Sequence, residues 1–181
     1  SPSGEEQTFS LKDSSENARM KVRTTTDQSG SRVIRDVFIL SQAGTKHIKP
    51  PTGYFYQLNW IGEAQRYAVL LFNATKAQTF AVYDVKQQKC VYKHEDGTGI
   101  LGRVFQKYNG SQIQFDKGDI AAYSLKKMID SHTFSIGFAA QTSQGATVKG
   151  SYTYDCITRK TSKLTYSQTT ENATASPTSM N

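Results

Sequence analysis

The sequence predicts a mainly β protein, an antiparallel meander forming a β-sandwich or an open barrel, with one short helix near 119–129. Three observations carry this. Apolar and polar residues alternate with a period of two over most of the chain; Asp, Asn and Gly turn signals separate the alternating runs; and the stretch from Arg66 to Lys93 reads as three consecutive strands. Within that stretch Tyr67 to Phe72 is apolar on both alternating faces, as in a strand covered on both sides, and Thr79 to Val85 and Cys90 to Tyr92 are β-branched and aromatic.

In chain order, residues 1–18 are polar, with Phe9 and Leu11 the only large apolar anchors, and are expected to form a flexible arm. From Arg19 the pattern sharpens, Met20, Val22 and Thr24 alternating with Arg19, Lys21 and Arg23 to give a strand with one apolar and one basic face. Asp27 to Gly30 supplies a turn into a second strand, Val33 to Leu40. Gly44 to Gly53 contains Pro50 and Pro51, neither with an N–H to donate, so it must be a loop or an edge. Tyr54 to Trp60 follows as a strand with Tyr54, Tyr56, Leu58 and Trp60 on one face.

Beyond the central stretch, Glu95 to Gly99 reads as a turn, and Gly102 to Asp116 as a hairpin about Asn109-Gly110, with Val104 opposite Phe115 and Gln106 opposite Ile113. Asp119 to Ile129 admits a helix or a strand. Asp119 as N-cap, the paired alanines and the paired lysines favour the helix. Phe134 to Phe138, Thr147 to Ile157 and Lys163 to Ser167 are strands, the last two joined by a turn at Arg159 to Ser162. Residues 19–168 are thus expected to be a single β-rich domain and 169–181 a flexible tail.

Tyr83-Asp84-Val85-Lys86, Tyr123-Ser124-Leu125-Lys126 and Tyr154-Asp155-Cys156-Ile157 resemble one another, and resemble the hairpins of β-propellers. Their spacings of 40 and 31 residues, in a chain of 181, leave too few strands for a ring of blades.

The net charge of +7 is uneven. Residues 1–18 set Lys12 against Glu5, Glu6, Asp13 and Glu16; residues 19–49 set Arg19, Lys21, Arg23, Arg32, Arg35, Lys46 and Lys49 against only Asp27 and Asp36. A basic segment of this kind attracts an anionic polysaccharide, lipid head groups or nucleic acid, and charge alone does not choose among them. Tyr54, Tyr56 and Trp60 would add rings for stacking, unless their row faces the core.

Cys90 and Cys156 fall on separate strands, and a disulfide between them would close a loop of about 66 residues, stabilising the fold by roughly 4 kcal/mol. Asn73, Asn109 and Asn172 stand in Asn-x-Ser/Thr sequons, although Asn109 also has a turn's explanation. His47, His94 and His132 lack metal-ligand spacing, so no metal or cofactor is expected; His94-Glu95-Asp96 is the one local cluster able to move protons. Nothing matches a nucleophile elbow or a phosphate-binding loop. No run approaches the roughly 18 apolar residues that would span a bilayer, and the opening Ser-Pro-Ser-Gly is expected from removal of a signal or from a piece of a longer chain.

The charged fraction of only 20%, with Ser, Thr, Gln and Tyr in its place, suits an extracytoplasmic protein, whether secreted, periplasmic or attached to the cell envelope. The function expected is non-enzymatic: a domain that binds or assembles with a protein or other macromolecule. A nucleic-acid or polyanion binder using segment 19–49 is the alternative, and an enzyme acting through His94 or a cysteine is the third.

Overall fold

The computed structural model describes residues 6–12, 18–61, 66–74, 78–93, 97–109, 113, 115, 120–142, 145–170, 173–174 and 178–179. It is mainly β and every strand pairing described is antiparallel, as the alternation predicts. The chain falls into two compact units, Ser1–Asn73 with Phe80–Glu95, and Ala74–Thr79 with Asp96–Asn181, where composition alone suggests one domain.

The first unit carries an eight-stranded sheet. Its strands are β1 (Glu6–Lys12), β2 (Arg19–Thr26), β3 (Arg32–Ser41), β4 (Gly44–Ile48), β5 (Tyr54–Ile61), β6 (Tyr67–Asn73), β7 (Gln78–Asp84) and β8 (Lys89–Lys93). The order is β1-β2-β3-β5-β6-β7-β8, with β4 also on β3. Strand β2 buries Met20, Val22 and Thr24 and turns Arg19, Lys21 and Arg23 the other way. The turn into β3 closes because one Asp27 carboxylate oxygen accepts the N–H groups of Ser29 and Ser31 at 2.9 and 3.0 Å, while Gly30 takes a φ of 86°.

Part of the polar N-terminal segment is a strand: β1 pairs with β2 from Glu6 to Lys12. Its anchor is Phe9, whose ring stacks on Phe55 of β5 at 4.2 Å with the Arg32 guanidinium over both rings at 5.0 and 5.4 Å. Strands β1 and β5 are separated in the sheet by β2 and β3, so this contact requires the sheet to curl on itself. The central strands are buried on both faces, from Tyr67 to Phe72 and from Phe80 to Asp84, and each large side chain buried there contributes about 1.5–3 kcal/mol.

The second unit holds α1 (Gly97–Asn109) and the strands β9 (Ile120–Met128), β10 (Thr133–Gln141), β11 (Ala146–Asp155) and β12 (Thr161–Thr170). Two short bridges, β13 (Ala173–Thr174) and β14 (Thr178–Ser179), pair with β12 in the stretch expected to be a tail. The inner face of this sheet is Phe134, Ile136 and Phe138 of β10, flanked by Tyr123 of β9 and by Tyr152 and Tyr154 of β11. Gly150 faces Tyr166 in the register; a Cβ there would collide with the Thr165 carbonyl oxygen, so only glycine lets β11 and β12 approach.

Two elements differ from expectation. The hairpin over 102–116 is replaced by α1, which begins at Gly97 where a turn is expected. Leu101, Val104 and Phe105 recur at helical spacing and are buried, and Asn109 ends the helix, a place an Asn-Gly pair suits as well as it suits a hairpin. Phe105 packs edge-on against Phe138 and Tyr166 at 5.9 and 4.9 Å, and the Tyr108 hydroxyl donates to the Thr161 carbonyl.

Conversely, the helix favoured near 119–129 is strand β9. Ala121 and Tyr123 are buried while Ala122 and Ser124 are exposed, the period of a strand. The adjacent lysines, which favour a helix when read locally, arise from a bulge opposite Ser135 and Ile136, where Leu125 and Lys127 find partners and Lys126 is the extra residue.

The proposed disulfide is not formed. Cys90 lies half-buried on β8 of the first unit, its thiol donating to the Tyr92 carbonyl at 3.4 Å; Cys156 is buried in the β11–β12 turn of the second, its N–H donating to the His132 carbonyl at 2.8 Å.

Candidate binding face

The basic segment is organised by the register of β2, β3 and β4. Two cross-strand rows stand on the outward face: Arg19, Leu40 and Thr45, then Lys21, Phe38 and His47. Beside them Arg23 is registered with Asp36. Between Arg23 and Thr24 the register shifts, so Arg35 is the extra residue of a bulge; its side chain is exposed and donates to Thr25 Oγ1 at 2.7 Å. The face therefore presents Arg19, Lys21 and Arg35 as exposed or half-exposed cations around a Phe38–His47 stack with centroids 4.8 Å apart.

Among the described residues two carboxylates oppose them, and both are engaged. Arg23 bridges Asp36 and Glu6, and His47 Nε2 lies 2.9 Å from the second Asp36 oxygen. Burial pushes the Asp36 carboxyl up, but the hydrogen bonds from Arg23 and His47 outweigh it, and its pKa lies below the ordinary carboxylate value. The hydrogen bond to Asp36 in turn raises Arg23. Asp36 is thus an anion at neutral pH, fixed between Arg23 and His47.

The other expected site residues go elsewhere. Arg32 covers Phe9 and Phe55. Lys46 is registered with Ile39, on the opposite face to Lys21 and His47, and Lys49 is exposed beyond the end of β4. The aromatic row is broken by a bulge between Phe55 and Gln57, so Tyr54 and Tyr56 are exposed while Trp60 is half-buried with its indole N–H buried and no hydrogen-bond partner among the described residues. Sequence reasoning grouped His47 with Lys46, Lys49 and the aromatic row, and missed Phe38 and Asp36. The parity of β3, in which Asp36, Phe38 and Leu40 stand opposite Arg23, Lys21 and Arg19, was the available signal.

The remaining candidates for chemistry are quickly placed. His94, Glu95 and Asp96 lie outside the described residues. His132 Nδ1 is 3.0 Å from Asp155 Oδ1, and Asp130 is its other acidic neighbour at 3.7 Å. Among the described residues no group of three His, Cys, Asp or Glu side chains is arranged to hold a metal, and no helix is long and apolar enough to cross a membrane. Comparison of the chain with family models, with characterised proteins and with solved structures found no match in any of the three.

Proposed function

We propose that this chain is a non-enzymatic, extracytoplasmic binding domain that takes an anionic polysaccharide on the outward face of β2, β3 and β4. The observation that carries the reading is the set of Arg19, Lys21 and Arg35 on one sheet face, where the carboxylates among the described residues, Asp36 and Glu6, are already paired with Arg23. Among the described residues such a face has an excess of positive charge spaced along strands, suited to the sulfates or carboxylates of an extended chain. A nucleic-acid strand would call for rings open to stacking, and on this face the Phe38 ring is already covered by His47. The extracytoplasmic assignment rests on composition alone.

The test is the affinity of the protein for heparin and for a single-stranded oligonucleotide, measured at low and at physiological salt. Heparin should bind the more tightly and weaken as salt rises, and R19E/K21E should lower heparin affinity by roughly tenfold or more. Absence of heparin binding at low salt, an R19E/K21E affinity equal to that of the parent, or tighter binding of the oligonucleotide would each overturn the reading.

A further inference from the structure

Among the described residues five large hydrophobic side chains are exposed, and three of them, Met128, Ile129 and Ile157, belong to one end of the second unit's sheet. The backbone brings them together. Phe134 at the start of β10 is registered with Met128 on one side and with Tyr154 on the other; the Ile129 N–H donates to the Thr133 carbonyl, and Thr133 is registered with Asp155, two residues before Ile157. At the strand spacing of about 4.8 Å, the β9–β10 and β11–β12 turns are next-nearest neighbours roughly 10 Å apart. Ile157 is 61% exposed, more than any other large hydrophobic described.

Among the described residues the charges around these tips have one dominant sign. The β9 bulge turns both Lys126 and Lys127 to solvent just before Met128, and Arg159 and Lys160 are exposed just after Ile157. The described acids at this end, Asp130 and Asp155, are turned to internal use: Asp130 Oδ1 accepts the N–H groups of His132 and Thr133, and Asp155 Oδ1 accepts those of Ile157 and Thr158 together with the His132 ring.

We propose that this end of the second unit docks on an anionic lipid bilayer, Ile129, Ile157 and Met128 entering the head-group boundary while the lysines and arginine pair with lipid phosphates and carboxylates. Aliphatic side chains on protruding turns, flanked by cations, match the amphipathic profile of a bilayer interface, apolar below and anionic above. Its residues all belong to the second unit, and the proposal does not rest on the face proposed for the first.

Co-sedimentation with phosphatidylcholine vesicles, with and without phosphatidylserine at about 30 mol%, tests this. Binding is expected only to the vesicles containing phosphatidylserine. I129S/I157S should weaken it by roughly tenfold or more, since two partly buried aliphatic groups are lost from the interface, and K127E/K160E should abolish it. The changes are at exposed positions, so thermal unfolding should be unaltered. No binding to phosphatidylserine vesicles, or unchanged binding by I129S/I157S, overturns the proposal. So does loss of binding in R19E/K21E with none in I129S/I157S, which would move the lipid contact to the first unit.

Discussion

His132 stands to Asp155 in the second unit as Arg66 stands to Asp84 in the first. In each pair the aspartate ends a strand, and the next residue, Cys156 or Val85, donates its N–H to the carbonyl of the basic partner at 2.8 or 2.9 Å. In each, the carboxylate also accepts a turn N–H, from Ile157 and Thr158 or from Gln87, and the turn contains a residue with positive φ, Arg159 at 60° or Gln88 at 53°. In the first unit Gln88 then ties the corner to β3 and β4, its amide donating to the Ile39 and Gly44 carbonyls at 2.9 Å. The Tyr-Asp resemblance in the sequence is therefore a repeated hairpin corner, with Tyr83 and Tyr154 buried beside it. The third member, Tyr123-Ser124, lies within β9 and has no aspartate to build the corner.

The two corners should differ in strength, because Asp84 is 4% exposed and Asp155 is 23% exposed. Arg66→Gln leaves a buried carboxylate without its cation and should cost about 2–3 kcal/mol. His132→Gln removes a partner from a carboxylate that solvent and two backbone N–H donors still serve, and should cost about 1 kcal/mol or less. Chemical denaturation of the two variants measures both, and equal costs would refute the comparison.

Acid should weaken the fold through Asp155 and Asp36. Burial raises Asp155, but the N–H groups of Thr158 and Ile157 and the His132 ring lower it further, so its folded pKa is depressed; Asp36 is depressed by Arg23 and His47. A depressed carboxylate contributes stability that is fully present above the unfolded value of about 3.9 and is lost as pH falls through the folded one. The parent should therefore lose stability below about pH 4, and Asp155→Asn, which cannot titrate, should lose less over the same range. Identical pH profiles from thermal unfolding would contradict this assignment.

Replacing a hairpin by α1 has its own consequences. Phe105→Ala, at a fully buried position against Phe138 and Tyr166, should cost about 3–5 kcal/mol. Gly102→Ala should instead stabilise by about 0.5–1 kcal/mol, because the residue is helical and a Cβ there meets nothing within 4 Å. Unfolding midpoints decide both, and destabilisation by Gly102→Ala would argue against the helix.

Much of the architecture was legible in the residues. The alternation of β2, the doubly apolar β6 and the β-branched β7 marked their strands because a strand's two faces meet different surroundings two residues apart. The Asp27 turn was legible because a short acceptor side chain and a glycine with positive φ solve that geometry locally. The concentration of cations between residues 19 and 49 was equally plain.

Tertiary structure decided the rest. Segment 97–109 became a helix and 120–128 a strand because Phe105 buries against β10 and β12 and Tyr123 pairs beside Phe138, contacts that lie far away in sequence. Which of the cations and rings share a face was settled by bulges at Arg23/Thr24 and Phe55/Gln57. One extra residue reverses the parity of everything beyond it, and whether a strand takes that residue depends on the partner it pairs with. The sequence by itself therefore determined which segments extend and where charge accumulates; the pairing of strands determined which of those charges share a face.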